Sequence, residues 1–348
     1  MTYKLALVGF GTVGQGLAEI LIHKRDLLRR DYHFECSVVA IADIHKGSAY
    51  LPEGLNMEKV LSLVRETNRV DGYPGATTGW DSLRTIRESG ADIVVEVTFT
   101  DIETGEPAIS HVRTSLEGGK HVVTSNKGPV ALAGRELSEL AVRKGVQFRY
   151  EGTVLSGTPA LNLALESLAG AEIGEVRGIL NGTTNYILSE MEQGKGYEET
   201  LKMAQKLGYA EAKPDADVEG WDALAKVLII ANLVMGGDLK VADVARTGIT
   251  GISLQEVELA RQNNERWKLI AHAWREGERV KAKVSPEKVS MDDFLAGVSG
   301  VTNALTIDTD LLGKVTIVGP GAGKGETGFS LLADMLAIHR IHSTGDRA

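Results

Sequence analysis

The chain has 348 residues, which is long for one domain and comfortable for two. Its 43% hydrophobic and 24% charged residues are typical of a soluble globular protein, and its formal net charge of −9 argues against nucleic-acid or anionic-membrane partners. One cysteine excludes an intramolecular disulfide and a thiolate cluster. The first residues enter a strand pattern directly and no apolar run is bilayer-length, so we expect a cytoplasmic protein.

A glycine-rich turn follows the first predicted strand. The apolar run Lys4–Val8 leads into Gly9-Phe-Gly-Thr-Val-Gly14, and a helical period begins at Gln15. In Gly-x-Gly-x-x-Gly the first glycine permits a tight turn, the second lets the backbone approach a pyrophosphate, and the third lets helix and strand pack closely. The helix N-terminus adds free N–H groups for the phosphates. We therefore predict a dinucleotide site formed by Gly9, Phe10, Gly11, Thr12, Val13 and Gly14.

The second predicted strand, Ser37–Asp43, ends in an acid. A carboxylate here can accept hydrogen bonds from the ribose of NAD and repel the 2′-phosphate of NADP. Asp43 lies further along the chain from the glycine turn than is usual, because a charged insert, Lys24–His33, lengthens the first crossover. His45 and Lys46 follow at once and could compensate for a phosphate. The pattern favours NAD and leaves the use of both NAD and NADP open. A strand-end turn residue without a role in cofactor binding is the alternative for Asp43.

Two later strands bring polar residues to the same edge of the predicted sheet. A buried run, Ala91–Thr100, ends in hydroxyl residues, and the strand from His121 ends before Lys127. Because the carboxyl ends of parallel strands meet at one edge, we expect Lys127 in a loop beside the nicotinamide position. A solvated surface lysine is the alternative. Further cofactor contacts are predicted at Thr98, Ser125, Asn126 and Gly323. Helices are predicted at Met57–Arg69, Trp80–Ser89, Pro107–Gly118 and Arg135–Lys144.

A strand at Ile173–Leu180 is predicted to break at Asn181-Gly-Thr-Thr-Asn185, before a helix at Tyr186–Gln193. Thr183, Thr184 and Asn185 can cap that helix and leave backbone N–H groups for a carboxylate. A capping turn without any ligand is the alternative.

The stretch Asp217–Lys226 carries the densest candidate chemistry. On a helix, Glu219, Asp222 and Lys226 would project from one face, and the helix continues into the apolar run Val227–Met235. This predicts a helix that enters the interior with an acid and an amine at its mouth. An ordinary surface ion pair is the alternative, but the nucleotide loop, Lys127 and the upstream Glu211 favour a site. Asp215 and Asp217 are interpreted as caps or loop acids.

The rest of the chain predicts a second, mostly antiparallel sheet. A long amphipathic helix is expected at Leu254–Glu276, followed by strands near 279–284, 295–298, 303–308 and 312–318. The loop Gly319–Gly328 does not fit a P-loop, because its spacing fails and no Ser or Thr follows Lys324. It is expected to lead into a closing helix, Phe329–Ile341, that returns to the nucleotide domain.

In this order along almost the whole chain, these segments resemble the homoserine dehydrogenase family. The matching pieces are Gly9–Gly14, Thr124-Ser-Asn-Lys-Gly-Pro129, Glu151-Gly-Thr-Val-Leu-Ser-Gly-Thr-Pro159, Asn181-Gly-Thr-Thr-Asn-Tyr-Ile-Leu188, Gly208-Tyr-Ala-Glu211, Asp217–Lys226 and Gly319-Pro-Gly-Ala-Gly323. The resemblance implies NAD- or NADP-dependent interconversion of L-homoserine and L-aspartate 4-semialdehyde, in threonine, methionine and isoleucine biosynthesis. Longer members end in a regulatory domain that this chain stops before, so we expect no direct threonine feedback.

The resemblance also implies roles for individual residues. Lys127 and Lys226 match the residues at the reacting oxygen, one of which handles its proton, and Asp222 matches the residue that orients the alcohol. Glu211 matches the acid that holds the substrate's amino group, and Gly182, Thr183 and Tyr209 match residues beside the substrate. A monovalent cation, expected to be sodium, is implied at Glu151, Val154, Ser156 and Thr158. A homodimer is implied by the family alone.

The expected architecture is an α/β protein with a doubly wound, Rossmann-type parallel sheet and a second α+β part for substrate binding and dimerisation. The dinucleotide domain is predicted at 1–152, completed by 323–344, and the catalytic and dimerisation domain at 153–322. Two rival functions are weighed. A semialdehyde dehydrogenase would need a nucleophilic cysteine, but Cys36 is placed ahead of the second strand, away from the ligand edge. A nucleotide-binding redox sensor would keep the glycine loop without needing Asp222 and Lys226.

Overall fold

The computed structural model describes residues 2–345. The chain divides into two compact units, the first made of residues up to Gly157 and from Gly323 onward, and the second of Thr158–Ala322. Each unit contains one six-stranded sheet, so the predicted α/β class with a second α+β part is confirmed. Within residues 2–345, no helix has both the length and the apolar character needed to cross a membrane.

The first unit is built on a largely parallel sheet with the strand order β3-β2-β1-β4-β5-β6. Its strands are β1 (Thr2–Val8), β2 (Glu35–Asp43), β3 (Gly47–Tyr50), β4 (Ile93–Glu96), β5 (His121–Thr124) and β6 (Phe148–Arg149). Only β3 runs antiparallel, as a hairpin partner of β2. Leu5 and Leu7 of β1 are fully buried, as expected for a central strand covered on both faces. In such sheets, ligands bind beyond the carboxyl ends of the strands.

Six helices flank this sheet in the first part of the chain. They are α1 (Thr12–His23), α2 (Arg25–Tyr32), α3 (Met57–Thr67), α4 (Ser82–Glu88), α5 (Ala108–Glu117) and α6 (Lys127–Lys144). The predicted loop at Lys127 is wrong, because Lys127 is the first residue of α6. The reason is local: the Asn126 side chain caps the helix by accepting a hydrogen bond from Gly128 N at 3.0 Å.

The second unit has a mostly antiparallel sheet, as predicted, with the order β12-β11-β7-β9-β10-β8. Its strands are β7 (Ile173–Ile179), β8 (Ala245–Arg246), β9 (Glu265–Glu276), β10 (Arg279–Ser290), β11 (Thr302–Thr309) and β12 (Gly313–Pro320). Its helices are α7 (Ala160–Asn162), α8 (Gly182–Met191), α9 (Tyr197–Lys206), α10 (Asp215–Val218), α11 (Trp221–Ile229) and α12 (Leu254–Gln262).

Two predicted elements of this unit are wrong. The long helix expected at 254–276 stops after α12, because Asn264 adopts a left-handed conformation with φ +60° and the following residues pair with β10 along all of β9. Asparagine tolerates that conformation better than most residues. The strand expected at 295–298 is a 3-10 turn, Phe294–Gly297, whose Leu295 N donates to the Asp293 side chain at 2.9 Å.

The prediction that Glu219 shares a helix with Asp222 and Lys226 is also wrong. α10 ends at Val218, and Gly220 takes a φ of +81° before α11 begins. Only Asp222 and Lys226 lie on α11, at i and i+4. Glu219 instead accepts a hydrogen bond from Thr250 Oγ1 at 2.9 Å. The apolar run after Lys226 is mostly buried, as expected, and passes into a π-helical turn, Ile230–Val234.

The C-terminal helix α13 (Lys324–Gly345) belongs to the first unit and begins five residues before the predicted start at Phe329. Its start packs closely on α1. A Cβ on Gly16 would lie 2.3 Å from the carbonyl oxygen of Lys324, and a Cβ on Gly328 would lie 2.8 Å from Leu17 N. Gly16 of α1 and Gly328 of α13 therefore serve the contact between the two helices, although the sequence pattern placed Gly328 in a loop.

Candidate active site

The three glycines of the first turn occupy different environments. Gly9 has a φ of +94°, and a Cβ there would lie 2.4 Å from the carbonyl oxygen of Val97. A Cβ on Gly14 would lie 2.9 Å from the carbonyl oxygen of Gly9, whereas a Cβ on Gly11 would have no atom within 4 Å. The first and third glycines are thus required by the turn and by packing. The second leaves open space at the N-terminus of α1, which fits a pyrophosphate.

Asp43 at the end of β2 is held by backbone donors. Its carboxylate accepts hydrogen bonds from Phe10 N at 2.8 Å and from His45 N and Lys46 N at 2.9 Å each. Burial would raise the pKa of Asp43, but the three N–H groups offset this and hold the pKa below its usual value. Phe10 contributes through its backbone, because its ring is fully buried. Asp43 is therefore anionic at neutral pH and ties the glycine turn to β2.

A cleft of about 670 Å³ runs along the carboxyl edge of this sheet. Gly9, Gly11, Asp43 and Thr98 line it, as do two exposed apolar side chains, Ile44 and Phe99. Thr12 and Val13 open α1 beside Gly11. Apolar walls with a few convergent polar groups are typical of cofactor clefts.

A buried acid, Glu96, joins the ends of β4 and β5. It is fully buried and accepts from Thr98 N at 3.1 Å and from Thr124 Oγ1 at 3.2 Å. Asn126 Nδ2 in turn donates to the carbonyl oxygens of Thr98 at 3.3 Å and of Phe99 at 2.9 Å. The predicted residues Thr98 and Asn126 are thus brought together, with the half-buried Ser125 between the strand and the cap. Glu96 was missed, although an acid within an apolar strand run is a usable signal.

Lys127 opens α6 and is half-buried. A cation at a helix N-terminus opposes the helix dipole, at a cost of roughly 0.3–1 kcal/mol. Its position therefore does not stabilise the helix, which favours a role for the ammonium outside helix stability. Gly323 differs: its φ is +145°, and a Cβ would lie 2.0 Å from Glu326 Oε2. This backbone conformation at the start of α13 favours glycine at position 323.

The residues predicted to hold a cation are buried. Glu151, Val154 and Ser156 lie in the first unit, where the Ser156 and Thr327 hydroxyls share a hydrogen bond of 2.7 Å. Thr158 begins the second unit and donates to the carbonyl oxygen of Pro320 at 3.0 Å. Among the described residues, no group of three His, Cys, Asp or Glu side chains could hold a metal ion. In the first unit, the Glu151 carboxylate and the Ser156 hydroxyl are buried oxygen groups of the kind that a hard cation prefers.

The second unit concentrates charge around Lys226. Its ammonium donates to Asp222 Oδ2 and to the carbonyl oxygen of Leu180, both at 2.6 Å, and the residue is only 7% exposed. Lys226 is buried and Asp222 is half-buried where α11 enters the apolar interior, so this is not the solvated surface pair weighed as the alternative.

Asn181 connects this pair to the N-terminus of α8. Its Oδ1 caps the helix by accepting from Thr184 N at 2.9 Å, so the predicted caps at Thr183, Thr184 and Asn185 are wrong. Its Nδ2 donates to Asp222 Oδ2 at 3.0 Å and to Asp217 Oδ1 at 2.7 Å. Neither Asn181 nor Asp217 was predicted as a site residue. The signal was present, since Asn181 begins the turn and Asp217 precedes Asp222 by five positions.

The predicted substrate residues lie around the start of α8. The Thr183 hydroxyl is within 2.6 Å of the carbonyl oxygen of Tyr209 and 3.1 Å of Asp217 Oδ2. Gly182 is needed for close approach, because a Cβ would lie 2.7 Å from the carbonyl oxygen of Val301. Tyr209 is 43% exposed. Glu211 is exposed as well, and its carboxylate takes no part in the network of Lys226, Asp222 and Asn181.

Asp217 makes the stability of this unit pH-dependent. Burial raises the pKa of Asp217 above its ordinary 3.8, and the nearby Asp222 raises it further, with Asn181 and Thr183 opposing. The native state therefore binds more protons than the unfolded chain between pH 3.8 and the raised pKa. The stability from this group is complete below that window and is lost as the pH rises through it.

The variant Asp217→Asn has no ionisable group at this position. Its free energy of unfolding should therefore lack the pH-dependent contribution of the Asp217 carboxyl group. Urea titrations of both proteins across this pH window should show that the free energy of unfolding of the variant increases relative to that of the wild type as the pH rises. A difference that stays constant with pH would remove Asp217 from the account.

Family models match both units. The model described as "Homoserine dehydrogenase" matches residues 159–336, and the model "Homoserine dehydrogenase, NAD binding domain" matches residues 9–151. The chain belongs to the homoserine dehydrogenase family. It is an NAD(P)-dependent oxidoreductase that acts on the hydroxyl group of homoserine, as the sequence predicted.

Full-length relatives agree with this family. The "NAD(+)-dependent homoserine dehydrogenase" of Pseudomonas canavaninivorans is 45% identical over 97% of this chain and 96% of its own length. The homoserine dehydrogenase of Methanocaldococcus jannaschii is 42% identical over 96% of this chain and 98% of its own. A hyperthermophilic archaeal homoserine dehydrogenase solved with NADPH superposes with a TM-score of 0.84 at 29% identity, covering 97% of this chain and 98% of that one.

The homoserine dehydrogenase of Thiobacillus denitrificans is longer. It superposes with a TM-score of 0.85 at 31% identity, and the match covers 99% of this chain but 74% of that one. The names of the relatives include both NAD and NADPH. They therefore support NAD(P) binding in this family without giving the preference of this chain.

The position of Cys36 rules out the thiohemiacetal chemistry of a semialdehyde dehydrogenase. It lies within β2, not ahead of it as predicted, and pairs with Tyr3 at the amino end of the sheet. Burial raises the pKa of the Cys36 thiol to about 12. Homoserine dehydrogenase chemistry needs no thiolate, and Cys36 is far from forming one at neutral pH.

Proposed function

We propose that Lys226 handles the proton of the substrate hydroxyl in the homoserine dehydrogenase reaction, with Asp222 and Lys127 as its catalytic partners. The observation that carries this proposal is the buried contact of Lys226 with Asp222, to which Asn181 also donates. Asp222 fixes the ammonium, and the Leu180 carbonyl takes a second N–H. One donor position of the ammonium then stays available for the reacting oxygen. Lys127, at the start of α6 in the first unit, is assigned to the same reacting oxygen because it matches the second lysine of the family.

NAD(P), when bound, supplies hydride transfer at the alcohol carbon. The groups of this chain that would hold it are the turn Gly9–Gly14, Asp43, Thr98, Ser125, Asn126, Lys127 and Gly323. For the substrate, the N–H groups of Gly182 and Thr183 at the start of α8 suit a carboxylate. Glu211, exposed and anionic, suits the amino group, and Tyr209 lies beside Thr183. We infer that residues 1–152 with 323–344 form the cofactor domain, and 153–322 the catalytic and dimerisation domain.

We also propose a preference for NAD over NADP. Asp43 is kept anionic by three backbone donors, and a 2′-phosphate placed beside it would meet like charge. Reduction of aspartate 4-semialdehyde with NADH and NADPH, measured side by side, should give a kcat/KM roughly tenfold higher for NADH, or about 1.4 kcal/mol. Equal values for the two cofactors would refute the preference.

A sodium ion is proposed at Glu151, Val154, Ser156 and Thr158. The support is a buried carboxylate, 3% exposed, among oxygen donors that a hard cation prefers. Replacing sodium by choline should lower the free energy of unfolding, by about 1.4 kcal/mol if sodium had been at ten times its Kd. Glu151→Gln should abolish this salt dependence, and an unchanged dependence in the variant would place the ion elsewhere.

We propose a cytoplasmic homodimer without nucleic-acid or membrane partners. The net charge of −9 supports the second part, because like charge repels nucleic acid and anionic lipid. Sedimentation equilibrium should give about twice the chain mass of 37.3 kDa. A single-chain mass at micromolar concentration would contradict the dimer.

A further inference from the structure

A second carboxylate, that of Asp71, lies against the turn that carries Asp43. The hairpin of β2 and β3 pairs Asp43 with Gly47, and a Cβ on Gly47 would lie 2.8 Å from Asp71 Oδ2. Val70 N donates to the carbonyl oxygen of Lys46 at 2.8 Å, which fixes this segment on the turn. Asp71 and Arg69 both line the cofactor cleft together with Asp43.

Arg69 and Asp71 form a two-point ion pair. Arg69 Nε lies 3.1 Å from Asp71 Oδ1, and Arg69 Nη2 makes a second, closer contact with Asp71 Oδ2. The side chains are 53% and 31% exposed, so the pair faces the cleft and solvent and is not part of the core. The parallel N–H groups of a guanidinium suit a carboxylate and a phosphate equally well. The carboxylate of Asp71 therefore occupies the donors that a phosphate would use.

We propose that Asp71 is a specificity residue for the cofactor, which holds Arg69 away from the 2′-phosphate of NADP. This inference rests on the proposed preference for NAD and names a second residue behind it. Asp43 repels the phosphate, and Asp71 withholds the cation that could bind it. His45 and Lys46 also line the cleft, so residual NADP binding is expected.

The charges that line the cleft determine the direction of the change in NADP+ affinity that we expect when Asp71 is neutralised. Asp43, Asp71 and Asp81 are the carboxylates that line this part of the cleft, and Lys46 and Arg69 are its cations. Neutralising Asp71 adds one positive charge and releases the guanidinium. Only the release depends on Arg69. The effect of Asp71→Asn is therefore also measured in an Arg69→Ala background, where the same charge is gained but no guanidinium is present to be released.

The test is calorimetric titration of NAD+, NADP+ and the fragment 2′,5′-ADP into the full-length protein without substrate. Asp71→Asn should bind NADP+ and 2′,5′-ADP at least tenfold more tightly than the wild type, with NAD+ within threefold. Asp71→Asn combined with Arg69→Ala should bind NADP+ no more tightly than Arg69→Ala alone. Glu88→Gln is the control, because Arg84 and Glu88 form another exposed arginine–carboxylate pair, with a contact of 3.0 Å, and neither residue lines the cleft. Asp71→Ser is a second variant with the same expectation, in case Asp71→Asn does not fold.

Each outcome of these titrations contradicts a different part of the proposal. Unchanged NADP+ affinity in folded Asp71→Asn and Asp71→Ser overturns the role of Asp71, even where the wild type prefers NAD. A gain that persists without Arg69 overturns the withholding mechanism and leaves only a charge effect. Equal wild-type affinities for NAD+ and NADP+ would refute the preference for NAD, whatever the variants do.

Discussion

Lys226→Ala should lower kcat at least a hundredfold, because the buried ammonium is the group proposed to exchange the hydroxyl proton of the substrate. The variant leaves Asp222 with Asn181 as its donor, so we expect a stability loss of about 1–3 kcal/mol and a folded protein. Steady-state kinetics with L-homoserine and NAD+, beside circular dichroism, measure both quantities. KM for homoserine should change far less than kcat.

Two companion variants separate charge from proton transfer at this position. Lys226→Arg keeps a cation beside Asp222 but cannot release a proton, so it should also lose at least a hundredfold. Lys195→Ala removes a more exposed lysine–carboxylate pair of the same unit, with 34% and 25% exposure, and should turn over normally. A fully active Lys226→Arg would reduce Lys226 to an electrostatic role.

Gly11→Ala should weaken NAD+ binding at least tenfold while leaving the fold intact. A methyl group at position 11 would have no protein atom within 4 Å, yet it would project into the space proposed for the pyrophosphate. The residue is the N-cap of α1 with a φ of −75°, so alanine is not strained there. Calorimetric titration of NAD+ and the thermal midpoint are the two measurements.

Gly196→Ala is the matched control for that substitution. Gly196 is likewise a helix N-cap, with a φ of −74° on α9 and no atom within 4 Å of its Cβ position. The free energy of unfolding should change by the same small amount, a few tenths of a kcal/mol, in both variants. Only Gly11→Ala should lose affinity for NAD+. Equal NAD+ affinity in both would mean that the cofactor does not approach the backbone at Gly11.

Much of the nucleotide unit could be predicted because each of its signals is local. The glycine turn, the acid at the end of β2 and the second half of α6 depend on residues within about ten positions of one another. Each local preference there agrees with the final fold. The same holds for Asp222 and Lys226, whose i, i+4 spacing on an apolar helix was enough to pair them.

The remainder depends on contacts that are distant in sequence. Nothing local predicts that Asn181 bridges Asp217 and Asp222, which follow 36 and 41 positions later. The helix expected through β9 failed for a related reason, since pairing with β10 overrides the helical period. Glu219 was misplaced because a single glycine, Gly220, interrupts an otherwise continuous helical pattern.

The partners of Asp71 and Glu96 were also outside what the sequence could predict. Asp71 becomes relevant only when the hairpin of β2 and β3 brings Gly47 against it. Glu96 gains its partners when β4 and β5 align in parallel, which places Thr124 beside it. In both cases the sheet register, and not a motif, creates the arrangement.

Chemical rescue of Lys226→Ala tests the central claim most directly. Single-turnover hydride transfer, followed by the absorbance of NADH at saturating L-homoserine and NAD+, should be at least a hundredfold slower than in the wild type. Added methylamine or ethylamine should restore part of the rate in proportion to its concentration, because the truncated side chain leaves room for a small amine. A variant that transfers hydride within a few-fold of the wild-type rate without any amine would contradict the assignment of Lys226.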